Sequence, residues 1–376
     1  MSAALEVSRI EWQGVRVPFR RPFVTAEGGA RFRYAMLLTV RTEGGVMGWG
    51  EAGAVGAGTA ASLRSLDALL RLTGPHLLGV PLRAVPARAR AILGGSPLAH
   101  ALGFGIETAI YDALGRARGR SVARLVGGEP RPVPVNATLG VASPAETARQ
   151  ARLAFSEGFT TLKLKVTGEG EQDGAVIEAV RAAVGSSVRL RLDPNQAWSA
   201  EEAVAALARL KRYGVEYVEQ PVAARDIAGL VRVRREAGVP VAADETVTGL
   251  YRARRVLDAG AADVLVIKAA RVGGLRAAAA ILLLARRRGV PAVVTSSLET
   301  GVGIAASLHL AALTDTGWPA CGLATGVLLE SDLLVEPLLP RRGMMRVPER
   351  PGLGVEVDQA ALHRYRAGPA GSVAAP

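Results

Sequence analysis

Lysine occurs at only four positions, Lys163, Lys165, Lys211 and Lys268, in a chain whose 46 basic side chains are otherwise arginine. Arginine keeps its charge at any ordinary pH, whereas a lysine amine gives up its proton when its surroundings disfavour the cation. A lysine retained against that background marks a place where a removable proton is useful. Lys163 and Lys165 lie two apart in Thr161-Leu162-Lys163-Leu164-Lys165-Val166. Period-two geometry turns both to one side of a strand, with Leu162, Leu164 and Val166 on the other. Taken alone, such a run also describes a strand with a solvated face.

The elements around it decide between the two readings. From about residue 5 to 51 the chain reads as an antiparallel meander: a first strand at Val7–Trp12, a connection through Pro18–Gly29, then a hairpin of Ala35–Val40 and Val46–Gly50. The Gly-rich stretches 24–29 and 53–58 are connections or flaps over a pocket. Helical periodicity follows to Arg118, its longest helix opening at Ser96-Pro97. Past the linker Gly127–Pro134, short apolar strands alternate with amphipathic helices about every 25 residues, the pattern of a parallel barrel. Candidate strands lie at 135–138, 161–166, 188–192, 217–219, 241–243, 264–267 and 292–294, with a weaker eighth at 320–324. The expected architecture is α/β: a modified (β/α)8-type, TIM-like barrel with an N-terminal α+β capping domain. Its divisions are 1–128 for the cap, 129–340 for the barrel, and 341–376 for a Gly- and Pro-rich segment that returns to the cap.

A parallel barrel builds its active site at the C-terminal ends of its strands. Those ends carry Lys163 and Lys165, then Asp193-Pro194-Asn195, Glu219-Gln220-Pro221, Asp244-Glu245 and finally Lys268. Any one aspartate there could simply cap the next helix. Three carboxylates on consecutive strands would converge, repel one another in a low-dielectric mouth, and call for a hard divalent cation such as Mg2+. Lysines from the second and sixth strands would flank it. A substrate carboxylate on that cation can accept the charge left when its α-proton is removed, with a neutral lysine as base. A second lysine and a dication nearby would lower that base's pKa.

As a set, Lys163-x-Lys165, Asp193-x-Asn195, Glu219-Gln220-Pro221, Asp244-Glu245 and Lys268 resemble the enolase superfamily in its muconate-lactonizing subgroup, over nearly the whole chain. Enolase-type sites pair a Lys or His base with one or two Mg2+ ions. The resemblance implies that Asp193, Glu219 and Asp244 bind Mg2+ (or Mn2+), that Lys165 is the base with Lys163 its partner, and that Lys268 stands on the opposite face. It implies supporting roles for Asn195, Glu245, Ser297, Glu299 and Thr25. The mandelate racemase pattern uses a His-Asp pair instead, and none of His76, His100, His309 and His363 is placed for it. Ser296–Gly303 and Ala320–Gly326 look like the seventh and eighth strand ends of o-succinylbenzoate synthases, and Arg21–Thr25 resembles their substrate flap. The eighth segment lacks the Asp-x-Asp of dipeptide epimerases. The resemblance thus implies a Mg2+-dependent syn-dehydration, with N-acylamino acid or dipeptide racemisation and muconate-type cycloisomerisation as alternatives.

Bulk properties set the remaining expectations. Net charge is +12, but arginines are dispersed and aromatics make up only 4%, so no basic groove with stacking rings is expected and nucleic acid is not a partner. A small-molecule carboxylate is the expected partner, together with further copies of the chain, since homo-oligomers are common in this superfamily. The longest apolar run, Ala277–Ala285, is too short to span a membrane. The first residues have no signal-peptide pattern, and the single Cys321 fits a reducing, cytoplasmic setting.

Overall fold

The computed structural model describes residues 5–25, 28–167, 170–315 and 319–375. Its first sheet is antiparallel: β1 (Val7–Thr25), β2 (Gly28–Thr42) and β3 (Met47–Ala52), joined at its outer edge by the last strand of the chain. Within the expected connection through Pro18–Gly29, Pro18–Thr25 and Gly28–Gly29 are instead strand. β1 runs to Thr25, paired with β2 as far as Gly28, with its register shifted between Pro18 and Phe23. Pro18 and Pro22 bracket that shift, where prolines without an N–H cost no ladder bond.

Beyond it, β4 (Pro132–Pro134) leads into seven parallel strands: β5 (Ala137–Leu139), β6 (Thr161–Lys165), β7 (Arg189–Asp193), β8 (Val215–Glu219), β9 (Val241–Ala243), β10 (Val264–Ile267) and β11 (Ala292–Val294). They neighbour one another in sequence order, as right-handed β-helix-β crossovers dictate. The eighth strand expected near Ala320 is reduced to single-residue parallel bridges, Cys321 with Val135 and Gly322 with Thr295. Gly322 leaves no room for a side chain, since a Cβ there would lie 2.8 Å from Thr295 Cγ2. These two bridges nevertheless join the first and last strands of the curled sheet. Downstream, β12 (Met344–Arg346) pairs with β4, and β13 (Arg366–Ala374) lies antiparallel to β1. No helix among the described residues is long and apolar enough to cross a membrane.

The helix Pro97–Arg118 joins cap to barrel. Ser96 caps it by accepting from Ala99 N at 3.2 Å, and Gly119 ends it in the left-handed conformation. It lies almost in contact with β3, because Gly50 and Gly105 meet: a Cβ on Gly50 would sit 2.0 Å from the Gly105 carbonyl. Its Glu107 is buried and accepts from Arg276 N at 3.3 Å, at the start of the barrel helix Leu275–Arg287. Glu107 Oε1 has no hydrogen-bond partner among the described residues.

Burial pushes the Glu107 carboxyl up to about 7, against the pull of the Arg276 amide and the charges of Arg276 and Arg90. Its folded pKa lies above its unfolded one, so the protonated form is favoured on folding. The stability this contributes is complete below about pH 4.5 and is lost as pH rises through 7. Glu107→Gln should match the parent protein near pH 4.5 and exceed it at pH 8 by up to about 3 kcal/mol in urea unfolding. A variant less stable than the parent at pH 8 would mean that the charge supports the helix start.

Candidate active site

The parallel register of β6 and β7 places Lys165 beside Asp193, and Lys163 beside Arg191 one pleat lower. All six residues of the lysine and carboxylate set meet at this end of the sheet. Lys163 Nζ lies 2.6 Å from Glu219 Oε1 and 2.8 Å from Asp193 Oδ2. Lys165 Nζ donates to Asp193 Oδ2 at 2.5 Å and to Asn195 Oδ1 at 2.6 Å. Across the mouth, Lys268 Nζ donates to Asp244 Oδ2 at 2.5 Å. The three carboxylates are buried, at 1% exposure or less. Charges taken so far from water are tolerable only when paired.

The pairing sets the proton affinities. Burial works against charge on Lys163, but Asp193, Glu219 and Asp244 outweigh it and hold the ammonium well above its ordinary pKa. Asp193 is buried too, yet Lys163 and Lys165 keep it well below the usual carboxylate range. Asp244 is likewise held down, by Arg271, Lys268 and Lys163 against burial. Glu219 goes the other way: burial raises it, Lys163 resists, and Asp193 and Asp244 add to the rise. Lys163, expected as the neighbour that tunes the base, thus keeps its own proton firmly, because three carboxylates lie within reach. Glu245 is pushed up to about 7 by burial and by Asp244.

Backbone strain marks the strand ends. Asn195, Gln196, Gln220 and Leu298 all have φ between +41° and +66°, a region L residues seldom occupy and which clusters at functional sites. Asn195 donates to Glu245 Oε1 at 3.2 Å, linking the ends of β7 and β9. Gln220, in the strained turn after β8, is fully buried. Its Oε1 accepts from Asp244 N, Thr246 N and Thr246 Oγ1 at 3.0–3.1 Å. It thereby fixes the turn that carries Asp244. Arg271, one helical turn past Lys268, bonds Asp244 Oδ1 and lies 4.0 Å from Glu245. Neither Gln220 nor Arg271 stood out as a site residue in the sequence. Gln220 was visible only as part of its motif, and one arginine among dozens carried no signal.

A cavity of about 540 Å³ opens above the set. Lys163, Lys165, Asn195, Glu245, Lys268 and Arg271 form its floor, and Thr295–Leu298, Gly322 and Thr325 one side. Thr138 of β5 and, from the cap, Phe23, Gly28–Ala30 and Val55–Ala57 supply the rest, so both Gly-rich stretches do face the pocket. Ser297 lines it, while Glu299 stands behind and accepts from Ser297 N. Thr25 ends β1 opposite Gly28, and its side chain lies outside the described residues. Of the histidines, buried His309 bonds Ala123 N and faces the Leu353 carbonyl, and His100 faces the Arg271 carbonyl, so both serve as structural contacts.

Among the described residues, no three His, Cys, Asp or Glu side chains are arranged to hold a metal ion as they stand. The lysine ammonium groups pair with the carboxylates instead. The donor set still fits a hard divalent cation. It is all oxygen, and buried Glu219 Oε2 has no hydrogen-bond partner among the described residues.

With the geometry in view, comparison with known proteins adds the following. Residues 9–127 match the family described as mandelate racemase / muconate lactonizing enzyme, N-terminal domain, and residues 146–361 match the enolase C-terminal domain-like family. An o-succinylbenzoate synthase of Thermobifida fusca is 45% identical over 61% of this chain and 72% of its own length. An L-Ala-D/L-Glu epimerase of Bacillus subtilis is 33% identical over 93% of this chain and 97% of its own. The solved dipeptide epimerase of Enterococcus faecalis, in complex with Mg and the dipeptide L-Leu-L-Tyr, superposes with a TM-score of 0.85 at 28% identity, covering 93% of this chain and 99% of that one.

Lys163→Met removes the one ammonium shared by Asp193 and Glu219 while keeping the bulk. In the presence of chelator it should cost about 3–5 kcal/mol in urea unfolding. Unchanged stability would show that the two carboxylates are not held together by Lys163.

Proposed function

Because the chain belongs to the muconate-lactonizing branch of the enolase superfamily, we propose that it is a Mg2+-dependent o-succinylbenzoate synthase, dehydrating a 2-succinyl-6-hydroxy-cyclohexadiene carboxylate. The observation that carries this choice is the charge of the cavity. Three lysines and Arg271 face it, and Glu245 is the one carboxylate lining it among the described residues. Glu245 is already engaged with Asn195 and Arg271. The four cations pair with Asp193, Glu219 and Asp244 as the site stands; with a divalent cation on those carboxylates, a substrate bearing two carboxylates would meet complementary charge there. The ammonium of a free dipeptide finds only the Glu245 carboxylate among the described residues of the lining, and Gly322, Leu323 and Ala324 offer none at the eighth segment. The 45%-identical relative supports the same reading.

Asp193, Glu219 and Asp244 would hold the cation, which would supply positive charge beside the substrate carboxylate and, by taking up these three anions, free the lysines to lose protons. Lys165, at the edge of β6 nearest the cavity, takes the α-proton in its neutral form. Lys268 faces it from the far side of the mouth as a cation, where it stabilises the charge that develops. Proton and hydroxide leave from one face, so the ammonium formed on Lys165 can return its proton to the departing hydroxide, and water is released. Phe23 and Val55 from the cap line the same cavity and would lie over the reacting atoms.

A second reading follows from Lys165 and Lys268 reaching the cavity from well-separated strands. Two bases on opposite faces suit a 1,1-proton transfer, which would make the protein an N-acylamino acid racemase. Turnover of the cyclohexadiene acid, compared with a panel of N-acylamino acids and dipeptides, separates the two. The proposal expects kcat/KM for the cyclohexadiene acid to lead by at least about tenfold, or roughly 1.4 kcal/mol of transition-state discrimination. Turnover of acylamino acids alone would overturn the synthase reading in favour of racemisation.

A further inference from the structure

Two loops from different sheets shape the cavity's side walls. Residues 53–58, after β3, bring Val55, Gly56 and Ala57 to it, and residues 296–300, after β11, bring Ser296, Ser297 and Leu298. Neither loop has the local sequence to hold itself. The first is rich in glycine, and the second is strained at Leu298, with φ +66°. Strain of that kind persists only where the surroundings impose it.

Behind both loops lies a charged group that takes no part in the proton chemistry. Arg33, Glu51 and Glu299 are all at most 3% exposed. Arg33 Nη1 donates to the carbonyls of Ala54, at 2.8 Å, and Gly56, the two residues that bracket Val55. Arg33 Nη2 lies 3.9 Å from Glu51 Oε1, and a Cβ on Gly53 would come within 2.3 Å of it. Glu51 reaches across to the barrel and accepts from Thr300 N, Thr300 Oγ1 and Gly303 N at 2.7–3.0 Å. Those groups open the helix Gly301–Ala311, whose own N-cap Thr300 makes no side-chain cap bond. One sheet of the cap thus supplies a cation that grips the first loop and an anion that grips the second. A buried ion pair adds little stability compared with apolar packing, so its better-attested use is to fix register.

We propose that Arg33 and Glu51 are positioning residues that set the separation of Val55 from Leu298 across the cavity, and with it the size of the substrate body admitted. The proposal rests on this cavity being the substrate site.

Arg33→Met and Thr300→Val test it in the Mg2+-loaded protein, by hydrogen–deuterium exchange of peptides covering 53–58 and 296–303 and by kinetics with the cyclohexadiene acid and the N-acylamino acid panel. Arg33→Met should speed exchange by about tenfold in both segments, although Arg33 bonds only the first. It should raise KM by about tenfold while kcat stays within about threefold and the pH profile of kcat/KM keeps its midpoints. Thr300→Val, which removes a single hydroxyl and leaves both charges, should move the same quantities in the same direction by about threefold. If Arg33→Met does not fold, Thr300→Val carries the test. Loosening confined to the segment that was altered, a fall in kcat at constant KM, or no change in a folded variant overturns the proposal. Exchange is read without turnover, so joint loosening supports the clasp even if the dehydration reading fails on the substrate panel.

Discussion

Three carboxylates brought to adjacent strand ends and buried there cannot coexist without positive charge between them. Everything else at the mouth of the barrel answers to that constraint. Lys163, pinned between Asp193 and Glu219, and Lys268 with Arg271 on Asp244, supply the charge in this structure. The same electrostatics that hold the Lys163 ammonium in place hold its proton on. A lysine so placed becomes a base only when another cation takes its partner. Among the described residues of the mouth, Glu219 Oε2 and Glu245 Oε2 are where the pairing stays incomplete. Metal binding and base activation are, on this account, one exchange of counter-ions.

The cap turns a charged mouth into an enclosed cavity. It does so through buried carboxylates that reach across to barrel helices: Glu51 at the start of Gly301–Ala311, and Glu107 at the start of Leu275–Arg287. Each uses a helix N-terminus as its partner, where backbone N–H groups are otherwise unmet. Glycines make the approach possible. Gly274 could carry no side chain, since a Cβ would lie 1.9 Å from Glu107 Oε2. Rigid docking of this kind lets substrate-facing loops be short and glycine-rich while the walls stay fixed.

Much of this was legible in the sequence. Composition showed the scarcity of lysine, and strand geometry showed the period-two placement of Lys163 and Lys165 and the acidic residue at the ends of three consecutive apolar runs; the structure brings those side chains together. Three things were hidden. The β1–β2 hairpin continues through two prolines, because its ladder shifts register where they fall. The eighth strand shrinks to two bridges, since Gly322 is too poor a strand former and too tightly packed to extend it. Arg33, Glu51 and Arg271 gave no local signal, and Gln220 showed only as part of its motif, because their partners lie far away along the chain or their residue type is too common here to stand out.

The central claim is that a lysine on β6 removes a proton beside a carboxylate once a divalent cation relieves its carboxylate partners. The direct measurement is incorporation of solvent deuterium at the α-carbon of N-acylamino acids or of another α-protonated carboxylate, followed by NMR with Mg2+, with chelator, and in Lys165→Ala. The account predicts exchange that requires Mg2+ and falls by at least about a hundredfold in Lys165→Ala. Exchange that survives chelator or the loss of Lys165, or no metal-dependent exchange with any carboxylate tried, would contradict it.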